Sequence, residues 1–420
     1  DKRDKTNTVT NPLKEINPTK DVTVKVGGDS VDGKSVYLNH TFLYRLDSSI
    51  LPPGRAYQTV TDWGGTDQLN TEYDQYLGNW AVYASRDLYR DGQMLAARGE
   101  KIAGSGFDSS KFGGNLFTVD ADDNGKVTAD ATQAYLDLVS ADNEHEAGWV
   151  LYLQCKRIAV ADEVPNTWTE TINGQPRESN KVVTKTPDMT PSIHLEKVDT
   201  PTLKQEGQEQ ADRDDPKQAL KMDADSIGIT FIITNTSKTD PATGDGAWFK
   251  ASDLNLADST IVGDAHVDMD SLTYPADWDT LVLKPGESVS VTGTLKGVKE
   301  GDTHTDRAIV TGTPLVECAP SNGDPFNDKT DGGEDTDPEY STGDVTEIDG
   351  KQLCADTQTA SNTDDWNGYR AKPLASTGTA VLGLAGGALA VLLAGGSLLV
   401  FRKRHYAQGS GRHTAVNAGK

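Results

Sequence analysis

An uncharged apolar segment of 23 residues lies near the C-terminus, from Thr379 to Phe401. An α-helix rises about 1.5 Å per residue, so this segment would span roughly 34 Å, enough for the hydrocarbon core of a bilayer. Arg402, Lys403 and Arg404 follow at once, and basic residues stay on the cytoplasmic side of a membrane. The segment therefore predicts a transmembrane helix with the preceding chain outside the cell. The alternative is a buried core helix.

A short motif stands directly before this segment and consists of Leu374, Ala375, Ser376, Thr377 and Gly378. Motif, apolar span and basic tail together resemble the cell-wall sorting signal of Gram-positive surface proteins, in its Leu-Ala-x-Thr-Gly form. The resemblance implies that a sortase cleaves after Thr377 and joins it to an amine of the peptidoglycan precursor. We therefore expect 373–420 to be a sorting signal that holds the chain in the membrane until cleavage. The alternative is a permanent single-pass membrane protein.

The charge of the chain excludes several kinds of partner. The 420 residues include 64 Asp and Glu against 40 Lys and Arg, a net charge of -24. No basic stripe is available to displace counterions from a phosphate backbone, so nucleic acid is not expected as a partner. An acidic body is equally unsuited to an anionic lipid surface.

The N-terminus lacks the basic and then apolar pattern of a secretion signal. An exported protein needs one, so we expect a C-terminal piece of a longer precursor, or a chain whose signal has been removed. Asn7-Thr8-Val9-Thr10 resembles a stretch that begins at Asn180, so 1–15 is expected to be the end of a preceding domain or a linker.

Residues 16–187 have the pattern of a β-rich domain. Val22 to Val26 alternates with period two, and Ser35 to Leu46 and Trp149 to Ala161 are longer apolar runs. Asn173-Gly174 is a hairpin turn signal between the runs 167–172 and 181–186. A short helix is predicted only over 131–139.

A second unit is predicted over 192–370, after a linker bounded by Pro187 and Pro191. Its strands are indicated by the runs 193–198, 227–234, 287–295 and 307–313. Many short strands at regular spacing favour sandwiches over a parallel sheet. The expected fold class is therefore all-β, with two tandem immunoglobulin-like β-sandwiches plus the C-terminal transmembrane helix.

The chain has three cysteines and no C-x-x-C pair. Cys318 and Cys354 flank an acidic, Gly-rich stretch, and an extracellular location permits a disulfide between them. Two free thiols are the alternative. Cys155 lies within an apolar strand and is expected to be an inert core thiol.

Residues 16–187 resemble the C-terminal domains of streptococcal antigen I/II-type adhesins. The cues are Asn17 to Val22, Asp32-Gly33-Lys34, Tyr73 to Trp80, and the close from Glu178 to Pro187. The resemblance implies an intramolecular Lys–Asn isopeptide bond. It would place Lys20 as nucleophile, Asn180 as electrophile and Asp62 as the acid that polarises the amide, with burial lowering the pKa of the amine. The alternative is that Lys20 and Asn180 are ordinary solvated strand residues.

The second unit resembles bacterial surface β-sandwich repeats less specifically. The similarity rests on Leu283-Lys284-Pro285-Gly286-Glu287 and on Ala308 to Gly312. Lys197 is placed where such domains often have a bridging lysine, and Asn362 is its predicted partner in a second isopeptide bond.

Asp120, Asp122 and Asn124 begin a pattern that matches the first half of a calcium loop. Position twelve is Ala131 and no helix pair flanks it, so a polar turn is the alternative to a weak calcium site. Apart from this calcium, no cofactor is expected, because no zinc, phosphate-loop or nucleophile-elbow motif occurs.

Together these features predict a Gram-positive surface adhesin anchored in the cell wall, not an enzyme. The sandwiches would form a rigid stalk that presents a distal binding head to an unknown host or bacterial ligand. One alternative is that the sandwiches themselves bind the ligand, through aromatic residues such as Trp63, Tyr73 and Tyr76. An extracellular hydrolase is a further alternative, but no positioned acid pair supports it.

Overall fold

A computed structural model of the protein describes residues 17–54, 59–200, 213–326, 330–332 and 345–373. The chain divides into the compact unit Asp1–Lys372 and a second unit, Pro373–Lys420. The predicted sorting motif Leu374 to Gly378, the predicted membrane span 379–401 and the residues 1–15 all lie outside the described residues. Within the described ranges, no helix has the length and apolar character needed to cross a membrane.

The first half of the compact unit is a β-sandwich, as predicted. Its elements are β1 (Thr19–Thr23), β2 (Thr41–Asp47), β3 (Trp63–Gln68), β4 (Asp74–Ala84), β5 (Leu88–Arg90), β6 (Gln93–Ala96), β7 (Lys101–Gly104), β8 (Phe117–Ala121), β9 (Lys126–Ala131), α1 (Gln133–Ala141), β10 (Trp149–Arg157), β11 (Ala161–Asn166), β12 (Trp168–Ile172), β13 (Gln175–Glu178) and β14 (Val182–Thr186). One sheet has the order β1-β2-β10-β4-β7 and the other β13-β12-β3-β9-β8, while β11 pairs with β14.

Strand β10 explains why the run that begins at Trp149 is apolar without alternation. Its inner side, with Trp149 and Leu153, packs in the core between the two sheets. Its outer side, with Val150 and Tyr152, belongs to a separate buried cluster. A strand covered on both faces has no polar side to present to solvent, and its sequence therefore reads as a continuous apolar run.

Several predicted bounds need correction. The strand predicted over 35–46 is limited to Thr41–Asp47, and the run 149–161 is divided between β10 and β11. The Asn173-Gly174 hairpin is confirmed, but it joins β12 to β13, while 182–186 pairs with β11 instead. The helix is confirmed with a shift of two residues.

The second half of the compact unit is another β-sandwich, also as predicted. Its strands are β15 (Ile193–Asp199), β16 (Leu220–Lys221), β17 (Ser226–Asn235), β18 (Phe249–Lys250), β19 (Asn255–Val262), β20 (His266–Val267), β21 (Val282–Leu283), β22 (Ser288–Lys296), β23 (Thr303–Gly312), β24 (Leu315–Glu317), β25 (Thr346–Ile348), β26 (Lys351–Ala355) and β27 (Ala360–Tyr369). The two main sheets have the orders β15-β17-β22-β20 and β16-β27-β23-β19. Alternate residues of β17 and β22, among them Phe231 and Val291, fill the core between them.

The segment that follows β24 lies on the outer face of the first sandwich. Phe326 is 0% exposed and packs with Leu43, Tyr83 and Tyr152. Asp331 accepts a hydrogen bond of 2.9 Å from the Tyr152 hydroxyl, and its main-chain NH donates to the Gly99 carbonyl at 2.9 Å. We call residues 319–326 and 330–332 the docking segment, since they join the second sandwich to the first.

Replacing Phe326 with alanine should weaken this junction. Full burial of a phenylalanine side chain contributes about 2–3 kcal/mol, so Phe326→Ala should lower the free energy of unfolding by up to that amount. Urea unfolding of the compact unit measures it. Ile309→Ala is the matched control, because Ile309 is 40% exposed and should change the free energy by less than about 0.5 kcal/mol. Equal effects of the two variants would contradict the packing role.

Candidate functional site

The side chain of Lys20 crosses the interior of the first sandwich. Lys20 lies on β1, and its side chain is 0% exposed. Its ammonium contacts the carboxylate of Asp67 on β3, in the opposite sheet, and lies 4.3 Å from the centre of the Tyr44 ring. Asp67 is itself 1% exposed. The expectation that Lys20 is buried is therefore met, and the alternative of a solvated lysine is wrong.

Burial lowers the pKa of Lys20, since the charged ammonium loses its hydration, while the Asp67 carboxylate opposes the shift. Burial also raises the pKa of the nearby Cys155 thiol well above its usual value. The cysteine stays a neutral core group, as predicted. A buried amine with a lowered pKa is chemically suited to act as a nucleophile.

The predicted acid, Asp62, does not contact Lys20. Asp62 precedes β3, and its carboxylate accepts a hydrogen bond of 3.1 Å from the main-chain NH of Gly174. Asp67 is the acid at the lysine. Side chains alternate along a strand, so Trp63, Gly65 and Asp67 share the inward face of β3. Reading this alternation forward from buried Trp63 would have identified Asp67.

The predicted electrophile, Asn180, also has a different role. Its Oδ1 accepts a hydrogen bond of 2.9 Å from the main-chain NH of Lys20, and its Nδ2 donates one of 2.9 Å to the Lys20 carbonyl. Asn180 is exposed and pairs with the backbone of β1, while the Lys20 side chain points into the core. This geometry commits the amide to the main chain and not to the amine.

Asn166 is the amide that sequence reasoning missed. It is 6% exposed, and its Nδ2 has no hydrogen-bond partner in the described part of the chain. Asn166 is the last residue of β11 and pairs with Val182, which lies two residues after Asn180. Trp168 donates a hydrogen bond of 3.0 Å from Nε1 to the Thr19 carbonyl. Trp168, two residues after Asn166, and Asn180, two residues before the paired Val182, both contact β1, so Asn166 is a candidate partner of Lys20.

A second buried lysine lies in the second sandwich, as predicted. Lys197 on β15 is 0% exposed, and its Nζ lies 2.5 Å from Asp258 Oδ2 and 2.6 Å from Asp306 Oδ1. Its predicted partner, Asn362, instead accepts a hydrogen bond of 3.0 Å from the main-chain NH of Leu195. Sequence reasoning found the lysine but missed both carboxylates.

A buried ion pair fixes the last strand of the first sandwich. Arg157 Nε lies 2.9 Å from Asp74 Oδ1, and both side chains are 0% exposed. The guanidinium also donates to the hydroxyls of Thr184 and Thr186 on β14, at 2.7 and 3.1 Å. Asp74 in turn accepts a hydrogen bond of 2.8 Å from the hydroxyl of Tyr44. This network ties β2, β4, β10 and β14 together.

The structure contains the predicted disulfide between Cys318 and Cys354. It joins the end of β24 to β26 at the start of the docking segment.

The proposed calcium residues form a hairpin turn. Asp120 pairs with Thr128 across β8 and β9, and Asp122 Oδ1 accepts hydrogen bonds from the main-chain NH groups of Asn124 and Lys126 at 2.9 and 3.0 Å. Over the residues described, no group of three or more His, Cys, Asp or Glu side chains is placed to hold a metal ion. The three residues therefore form the polar turn that was the alternative, and weak calcium binding by them stays a prediction.

The junction of the sandwiches also holds a titratable group. His40 hydrogen-bonds to the main chain of Glu317, and burial lowers the pKa of His40 to about 4. A free histidine titrates near pH 6.5, so the unfolded chain binds a proton at a pH where folded His40 does not. The stability from neutral His40 is complete above about pH 6.5 and is lost as the pH falls toward 4.

Replacing His40 with glutamine should therefore reduce the loss of stability between pH 7 and pH 5. The measurement is the free energy of unfolding of both proteins in urea at the two pH values. His194→Gln is the control, because the His194 side chain is 52% exposed. The same pH dependence in the parent and in His40→Gln would count against the assignment.

Residues 17–187 match the model of a family described as cell surface antigen C-terminus, which confirms the resemblance inferred from the motifs. The family is one of surface antigens and not of enzymes.

Among curated proteins, the chain is similar to an aggregation substance of Enterococcus faecalis, with 36% identity over 189 residues. The match covers 44% of this chain and 14% of that protein. Among solved structures, the C-terminal domain of the Streptococcus pyogenes antigen I/II-family protein AspA matches with 28% identity and a TM-score of 0.35, covering 41% of this chain and 47% of that one. The C-terminal domain of the Streptococcus agalactiae AgI/II polypeptide BspA matches with 14% identity and a TM-score of 0.35, covering 70% and 95%.

Proposed function

We propose that the two sandwiches are the stalk of a surface adhesin anchored in the cell wall, and that the first is locked by an isopeptide bond between Lys20 and Asn166. The observations that support this proposal are the buried Lys20–Asp67 pair and the buried Asn166, whose Nδ2 has no hydrogen-bond partner in the described part of the chain, inside a domain that matches a cell surface antigen family.

The bond would form by attack of the neutral Lys20 amine on the side-chain carbonyl carbon of Asn166. The new N–C bond replaces the bond from that carbon to Nδ2, and one ammonia leaves. Asp67 accepts a proton from the attacking nitrogen and returns it to the departing one. An apolar environment favours this step in two ways. It lowers the pKa of Lys20, and it strengthens the polarisation of the amide by a nearby acid.

The position of the bond suits a part that carries tension. β1 opens the first sandwich, and β11 pairs with β14, which closes it. A covalent link from Lys20 to Asn166 would join the first strand of the domain to the strand that pairs with its last one. Pulling force would then bypass the hydrogen bonds between these two residues, and only β12 to β14 would still carry it.

Anchoring by the motif at Thr377 is part of the same proposal. In cells that make the full protein, a Thr377→Ala change should move it from the fraction released by peptidoglycan hydrolases to the membrane or medium. Ser376→Ala is the matched control, since the motif leaves that position open. Wall attachment that is unchanged by Thr377→Ala would refute anchoring and leave a membrane-spanning protein.

Direct ligand binding by the sandwiches is the second candidate. Of the aromatic residues predicted for it, Trp63 is 1% exposed and belongs to the core, which removes it from any surface. A cleft of about 540 Å³ between the sandwiches, lined by Tyr37, His40 and Lys156, supports this candidate. Retention of bacterial or host-cell binding by the isolated compact unit would favour it over the stalk.

A further inference from the structure

A small sheet of the second sandwich carries the docking segment. It has the strand order β24-β26-β25, and β24 pairs with β26 over only three residues of each strand. Trp248, Leu315 and Leu353 form a buried apolar cluster that holds this sheet to the second sandwich. The docking segment begins at Ala319, just after β24 ends. The position of the small sheet therefore sets where the docking segment leaves the second sandwich.

Contacts with the first sandwich begin at the end of β24 and continue along the docking segment. The main chain of Glu317 hydrogen-bonds to His40. Gln154 donates from Nε2 to the Gly323 carbonyl at 3.1 Å. The carbonyl of Phe326, whose ring is buried against the first sandwich, accepts a hydrogen bond of 3.3 Å from Lys101 Nζ. These contacts therefore all depend on the path of one short stretch of chain.

A second set of contacts comes from the loop 240–245 of the second sandwich. The Tyr37 hydroxyl donates to Asp245 Oδ2 at 3.1 Å, and Ser35 Oγ donates to Asp240 Oδ2 at 2.7 Å. The other oxygen of Asp245 contacts the ammonium of Lys351, which is the first residue of β26. The small sheet is therefore linked to both sets of contacts between the sandwiches.

The disulfide crosses the small sheet at the root of the docking segment. Cys318 is the first residue after β24, and Cys354 lies within β26. The bond closes a loop with a sequence separation of 36 residues, and this loop contains the docking segment. Opening the bond returns conformational freedom to the loop and lowers the effective concentration of Phe326 at its contacts with the first sandwich. The root would then be held by the short ladder of β24 and β26, without a covalent bond.

We propose that this disulfide makes the joint between the two sandwiches sensitive to redox state. With the bond closed, the docking segment stays bound and the two sandwiches move as one body. With the bond open, the segment leaves the first sandwich, and the sandwiches move independently about the linker 187–191. The proposal does not depend on the bond proposed for Lys20 or on anchoring in the cell wall.

A small dithiol is the reductant that opens the bond. One of its thiolates attacks the sulfur of Cys318 or Cys354, the S–S bond breaks and a mixed disulfide forms. The second thiolate of the reductant then displaces the cysteine sulfur. Two electrons pass to the protein, both cysteines end as thiols, and the dithiol becomes a cyclic disulfide. Because the two cysteines are 3% and 2% exposed, the reaction needs an excess of the dithiol, and a disulfide oxidant reverses it.

The test compares the compact unit Asp1–Lys372 before and after treatment with excess dithiothreitol. Alkylation in denaturant follows the reaction, because Cys155 is a free thiol before reduction and all three cysteines are free after it. We expect reduction to increase the radius of gyration in small-angle X-ray scattering. The Asp331 amide, which donates to the Gly99 carbonyl, should exchange its hydrogen about tenfold faster or more. Amides of β17 and β22 should stay protected, since the second sandwich remains folded.

Two variants separate the disulfide from other effects of the reductant. Cys318→Ser combined with Cys354→Ser should behave like the reduced protein without any dithiol, and dithiothreitol should not change it further. Cys155→Ala is the matched control and should keep the full redox response, because Cys155 lies in the core of the first sandwich. An unchanged radius of gyration and unchanged exchange at Asp331, in the reduced protein and in the double variant, would overturn the proposal. Loss of protection throughout β17 and β22 would also overturn it, because the disulfide would then hold the second sandwich itself together and not the joint.

Discussion

The compact unit Asp1–Lys372 should lose one ammonia from its first sandwich, and Lys20→Arg and Asn166→Ala should each abolish that loss. Asp67→Asn should slow or abolish it, because the proton carrier is gone. A cross-link that closes a loop spanning most of the first sandwich contributes about 4–5 kcal/mol by the chain-entropy model, so the variants should also unfold at lower urea concentration. Intact mass and urea unfolding measure the two effects.

Asn180→Ala is the matched control for this experiment. Asn180 binds the main chain of Lys20 through both side-chain atoms, so its loss should cost about 1–2 kcal/mol and leave the ammonia loss intact. If Asn180→Ala prevents the mass change and Asn166→Ala does not, the sequence-based partner is right and Asn166 is excluded. Full mass in the parent would exclude the bond altogether.

Arg157→Ala should be the most destabilising single change in the first sandwich outside the proposed bond. It leaves the Asp74 carboxylate buried without its cation and removes the donors to Thr184 and Thr186. Loss of one member of a buried pair costs about 3–5 kcal/mol. The expected result is a loss of that size in the free energy of unfolding, measured in urea at pH 7.

Arg307→Ala is the control for Arg157. Arg307 contacts both oxygens of Asp365, at 2.6 and 2.9 Å, but its side chain is 51% exposed. Exposed pairs contribute about 0–1 kcal/mol, so this variant should be nearly neutral. Similar losses for the two arginines would mean that burial does not set the energy of the Arg157 pair.

The fold was predictable to the level of two all-β sandwiches because its signals are local. Period-two alternation and the Asn173-Gly174 turn are each read within a short stretch of sequence. The disulfide between Cys318 and Cys354 was predictable because the chain has only three cysteines to pair. The pairing of the strands could be predicted less well from the sequence. Residues 182–186 pair with β11 and not with the hairpin partner, and this depends on contacts between sheets that no local pattern encodes.

The lysines of both clusters were identified from the sequence, and their partners were not. Asp67 contacts Lys20 from a strand far away in the chain, and Asn166, the proposed partner, lies on another such strand. Their roles depend on register and on which face of a strand is buried. Asp258 and Asp306 were hidden among 64 acidic residues. Asn180 and Asn362 were good choices of residue type, but their amides serve main-chain groups instead.

The docking segment has a mechanical consequence for the linker at 187–191. Bending at that point requires Phe326 to lose its apolar contacts with the first sandwich and the hydrogen bond between Tyr152 and Asp331 to break. The joint between the sandwiches therefore resists bending until these two contacts break.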